Sequence, residues 1–77
     1  MTEAEILPDP RLKLVGYKLR QLRIKKGYSS YEAFAFDHDL PRVGYGRHEQ
    51  GHNLTLKSLL RLLDIHQASL ADFFTDI

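Results

Sequence analysis

The sequence predicts a small all-α fold, a compact bundle of five helices. Three observations carry this expectation. Apolar residues recur at helical spacing, capping and stopping residues punctuate the chain at short intervals, and no run alternates apolar and polar residues as a strand would. Seventy-seven residues make one domain, near the lower limit for a self-sufficient core. With no cysteine, neither a disulfide nor a thiolate metal site can help. The core must come from the 43% of hydrophobic residues, four Phe and four Tyr among them. No apolar run approaches a membrane span and no signal pattern opens the chain, so a soluble cytoplasmic protein is expected.

Residues 1–11 read as a flexible acidic tail, with Glu3, Glu5 and Asp9 set among Pro8 and Pro10, and residues 12–77 as the domain. From Leu12 the residues Leu12, Val15, Leu19 and Leu22 form an inward stripe that ends at Gly27, with Lys25 and Lys26 at the negative end of the helix dipole. Ser29-Ser30-Tyr31-Glu32 has the form of a capping box and opens a short second helix, about Ser30 to Asp37, that buries Phe34 and Ala35. His38-Asp39 breaks it. Leu40-Pro41 opens a third helix, about Pro41 to His48, with proline in the first turn and Gly51 as the stop. Thr55 is the expected cap of a fourth helix carrying Leu56, Leu59, Leu60 and Leu63. Ser69-Leu70-Ala71-Asp72 opens a fifth, with Leu70, Phe73 and Phe74. The expected core is Leu19, Leu22, Phe34, Ala35, Tyr45, Leu59, Leu63 and Phe73.

Net charge is +1, but its distribution is uneven: residues 11–27 carry seven bases and no acid. Such a block marks nucleic-acid contact about as often as a merely solvated face. Of the four histidines only His48 and His52 are spaced as a pair, and they straddle Gly51, which falls short of the ligand set zinc requires. There is no nucleophile elbow and no phosphate-binding loop. The expectation is a protein that is not an enzyme and carries neither metal nor cofactor.

From Val15 to Phe74 the chain resembles the XRE, or lambda-repressor-like, helix-turn-helix family. The resemblance rests on Val15-Gly16-Tyr17-Lys18-Leu19-Arg20-Gln21-Leu22-Arg23 for the first helix and Glu32-Ala33-Phe34-Ala35 for the second. Leu40-Pro41, inward Tyr45 and Glu49-Gln50-Gly51 match the third, and Ser69-Leu70-Ala71-Asp72-Phe73-Phe74 the last. Three departures stand out. The turn Gly27-Tyr28-Ser29-Ser30 is one residue longer than usual, and Asp39 replaces a glycine at a left-handed position that Asp tolerates. Gly44 and Gly46 interrupt the third helix, each costing about 1 kcal/mol against alanine.

The resemblance implies double-stranded DNA as partner, with the third helix in the major groove. Arg42, Val43, Gly46 and Arg47 fall on one side of that helix and are the implied base-reading residues. Arginine can take both major-groove acceptors of guanine, and Val43 can meet a thymine methyl. The expected phosphate contacts are Ser30 and Tyr31, which open the second helix, and Gln50, His52 and Asn53, which follow the third. Arg23 and Glu49 are the implied structural salt bridge. Leu14, Tyr17 and Ile24 form a second apolar strip on helix one, which either packs under the tail or the fifth helix, or forms a homodimer seam with Phe74 or Ile77. The leading function is a small repressor-like transcriptional regulator. The alternatives are an antitoxin or phage-control protein with a protein partner, and an interaction module that kept the fold and lost DNA.

Overall fold

The computed structural model describes residues 9–75, which form five α-helices: α1 (Pro10–Lys25), α2 (Tyr31–Asp37), α3 (Arg42–Glu49), α4 (Leu56–His66) and α5 (Leu70–Phe74). Among the described residues there is no strand, and no helix is long and apolar enough to cross a membrane.

α1 starts two residues before its apolar stripe. The Asp9 carboxylate accepts the Arg11 N–H at 2.9 Å, and Pro10 takes the first helical position, where its missing N–H costs nothing. Residues 9–11, expected to end the tail, are therefore the cap and first turn of α1. Residues 1–8 of that tail, and Ile77, lie outside the described residues. α1 closes through Gly27, whose φ of +106° lets the Tyr28 N–H reach the Arg23 carbonyl at 3.1 Å.

The α2 cap is Ser30, whose Oγ accepts the Ala33 N–H at 3.3 Å. Glu32 is thus the second helical residue, one position too early to return the bond, and the expected capping box does not form. Asp39 takes the left-handed conformation expected of it, φ +54°, and the Leu40 N–H donates to the Ala35 carbonyl at 2.8 Å. Pro41 is the cap residue of α3 rather than a first-turn residue, and only its carbonyl serves the helix, accepting the Tyr45 N–H at 2.8 Å. Thr55 and Ser69 cap α4 and α5 as expected, each hydroxyl accepting an N–H three residues on at 3.0 Å.

The core holds Leu19, Phe34, Ala35, Tyr45, Leu59, Leu62, Leu63 and Phe73. Leu22 packs only at its margin. α4 is turned from the expected stripe: Leu56 and Leu60 face solvent, while Leu59, Leu62, Leu63 and His66 form the inward row. That i, i+3, i+4, i+7 row is complete only when His66 counts as a core residue. Its ring stacks on Phe34, centroids 5.2 Å apart. Tyr28, His38 and Tyr45 close around the same ring at 5.3, 4.7 and 5.1 Å. Of the α5 apolar residues only Phe73 is buried; Leu70 and Phe74 stay at the surface.

Candidate nucleic-acid interface

α3 owes its position to contacts with α1 and α2 rather than to its own sequence. Two glycines in eight residues and the lack of a side-chain cap make it a poor helix in isolation. Arg23 of α1 grips its last residue in a two-pronged salt bridge, Nε to Glu49 Oε2 at 2.8 Å and Nη2 to Oε1 at 3.0 Å. Nη1 donates to the Tyr28 carbonyl at 2.8 Å, so the guanidinium also ties down the entry to α2. Both side chains are over nine-tenths buried, and the pair is the one the resemblance implied. The Glu49 bond holds the Arg23 guanidinium firmly protonated. Burial pushes the neighbouring Tyr45 phenol well above its ordinary value.

Two helix axes approach closely at Gly16. A Cβ there would stand 2.6 Å from the carbonyl oxygens of both His48 and Glu49. Gly51, at φ +96°, makes a similar approach to α1: a Cβ would meet Lys13 Cγ at 2.9 Å and Cα at 3.1 Å. Lys13 thereby lies against the loop that carries His52 and Asn53. Nothing local distinguishes it among the seven bases of residues 11–27, because the signal is a contact between distant residues.

On the outer side of α3, Arg42, Val43 and Arg47 are exposed, Val43 by 59%. Neither arginine side chain makes a hydrogen bond or ion pair with any described residue. Val43 and Arg47 are one turn apart, and Gln50, also exposed, extends their row. Gly46 departs from the implied arrangement: it is buried beneath the ring of Tyr31, so its bare backbone receives that side chain and does not face outward. Ser30 spends its hydroxyl on the α2 cap, while His52 and Asn53 are exposed. Burial above all, then nearby His52, keeps His48 below the usual histidine range.

Away from this face, Leu14, Tyr17 and Ile24 remain 48%, 58% and 46% exposed. Leu14 and Tyr17 line a groove with Lys18, Ala68 and Phe73, so α5 borders the strip without covering it.

A short helix, a left-handed turn and a second short helix docked on a longer first one define a helix-turn-helix domain. The chain is similar to a solved structure, the restriction-modification controller protein C.AhdI from Aeromonas hydrophila. Identity is 33% over 86% of this chain and 100% of that one, with a TM-score of 0.74. No family model matches the chain, and no curated protein matches it. The chain belongs to the XRE, lambda-repressor-like helix-turn-helix family.

Proposed function

We propose that this protein binds duplex DNA sequence-specifically as a small repressor-like transcriptional regulator, with α3 in the major groove. The observation that carries the reading is the pair of exposed, unpartnered arginines, Arg42 and Arg47, flanking Val43 on a helix locked to its scaffold by Arg23 and Glu49. Two arginines at this spacing are suited to guanine edges, and Val43 to a thymine methyl. Tyr31, Gln50, His52 and Asn53 are the residues for phosphate contact, joined by Lys13 beside Gly51. Similarity to a restriction-modification controller favours control of genes of that kind. The exposed strip of Leu14, Tyr17 and Ile24 is suited to a homodimer seam, and a dimer would read two half-sites about 34–36 Å apart.

Selection of bound sequences from random duplexes tests this directly. Arg42→Ala is expected to lose about 1–3 kcal/mol at the selected site and to relax preference at one base pair, with melting unchanged. Asn53→Ala is expected to weaken all sequences alike. Binding with no preferred sequence and no salt dependence would sink the reading in favour of a protein-interaction module.

A further inference from the structure

The two glycines of α3 answer to different surroundings. Neither has the positive φ that would require glycine. A Cβ on Gly44 would meet only Pro41 Cβ, at an ordinary 3.5 Å. A Cβ on Gly46 would stand 2.7 Å from Tyr31 Cε2 and 3.2 Å from both Cδ2 and Cζ. An interior glycine costs a helix about 1 kcal/mol against alanine. At Gly44 nothing in the packing opposes a methyl group; at Gly46 the phenol ring already fills its place.

The same contact fixes where the phenol ends. Cζ carries the hydroxyl, and Cζ lies against the α3 backbone one residue from exposed Arg47. The ring is half-buried, yet the hydroxyl makes no hydrogen bond to any described residue and is not among the buried orphaned polar atoms. A tyrosine seated by its ring and free at its oxygen presents a donor and acceptor to whatever approaches α3.

We propose that Gly46 is a positioning residue acting through Tyr31: the notch in α3 seats the phenol ring, and the seated hydroxyl bonds a backbone phosphate beside the bases that Arg42 and Arg47 read. This rests on the reading that α3 enters DNA. It transfers the contribution of position 46 from base reading to phosphate anchoring, made by a side chain from the neighbouring helix. Because phosphates carry no sequence, loss of this bond weakens every duplex equally. Because a phenol is neutral, the salt slope stays the same.

A double-mutant cycle on Gly46 and Tyr31 tests the coupling, read by anisotropy with a labelled selected duplex and a labelled random one. Tyr31→Phe keeps the ring seat and is expected to weaken both duplexes about tenfold, the scale of one hydrogen bond to a charged group. Gly46→Ala is expected to cost at least as much in the parent and less than about twofold in a Tyr31→Ala background, since no ring is left to displace. Gly44→Ala is expected to bind as the parent does. Equal, multiplying losses from Gly46→Ala and Tyr31→Ala would overturn the proposal, as would an unaffected Tyr31→Phe or a Gly44→Ala defect matching that of Gly46→Ala. If Gly46→Ala does not fold, Tyr31→Phe decides alone. A parent protein that fails to bind either duplex would instead remove the DNA reading itself.

Discussion

Replacing Arg23 by methionine isolates the contact that sets the angle of α3. Methionine has a similar reach but no charge, so the change removes both N–H bonds to Glu49, at 2.8 and 3.0 Å, and the one to the Tyr28 carbonyl. It leaves the Glu49 carboxylate almost fully buried without a counterion. Breaking a buried pair from one side costs about 3–5 kcal/mol, and two charge-assisted bonds at about 1.5–3 kcal/mol each give an overlapping range of about 3–6 kcal/mol. A domain of this size holds roughly 4–12 kcal/mol in all. The melting temperature should therefore fall by at least about 12 °C, at 4–8 °C per kcal/mol. Urea unfolding followed by far-UV circular dichroism measures the loss. The double variant Arg23→Met/Glu49→Leu separates the two origins of that loss. If the cost is an orphaned charge, the double variant recovers most of the stability, because no ion is left in the core. A single variant within 1 kcal/mol of the parent (roughly the worth of a surface pair) would refute the buried clamp. So would a double variant less stable than the single.

Other substitutions probe the rest of the scaffold. Phe34→Ala empties the centre of the aromatic cluster and should cost about 3–5 kcal/mol by denaturant titration. Gly16→Ala should be a net loss of about 1 kcal/mol or more despite better helix propensity, because the 2.6 Å approach is to backbone carbonyls that cannot turn aside; an unchanged urea midpoint would contradict it. Burial first, then Lys26 and His38, holds His66 below the usual histidine value of 6.5. The unfolded chain therefore takes the proton first, so stability is full above about pH 6.5 and declines as pH falls below it. His66→Phe keeps a ring against Phe34 and should make the decline below about pH 6.5 shallower, leaving the share contributed by His48; an equally steep decline would move its cause elsewhere.

The parts of this fold that were legible in the sequence are those written locally. Ser69 and Thr55 announce their helices because a hydroxyl three residues before an N–H is a short-range device. Asp39 could be assigned its left-handed turn from its own chemistry. Asp9-Pro10 carries the same kind of signal, a capping carboxylate before a first-turn proline, but the acidic composition around it made it look like tail. α4 differs from its expected row by rotation rather than by extent. Leu59, Leu60, Leu62 and Leu63 allow two inward rows, and the choice falls to Phe34, a residue from another helix that recruits His66 to its face. At the candidate site helical geometry alone puts Arg42, Val43 and Arg47 on one side of α3, and they are exposed there; the base-reading role proposed for them comes from the family resemblance. The burial of Gly46 could not be read from that geometry, because it depends on where Tyr31 crosses α3.

That dependence extends to the whole of α3. Eight residues with two glycines and no side-chain cap fall well short of the length at which a helix stands alone in water. Its order therefore comes from outside: Tyr45 in the core, Glu49 in the grip of Arg23, Gly16 of α1 against the carbonyls of His48 and Glu49, and Tyr31 over Gly46. Three of these four restraints come from α1 and α2 and bear on the inner and lateral sides of α3, leaving the row of Val43, Arg47 and Gln50 free. A helix held in this way behaves as a rigid part of the domain while its outer face stays open to substitution. Changes at Arg42 or Arg47 should consequently alter binding without altering melting, and changes at Arg23 or Gly16 should alter both together. The two kinds of variant are distinguishable before any operator sequence is known.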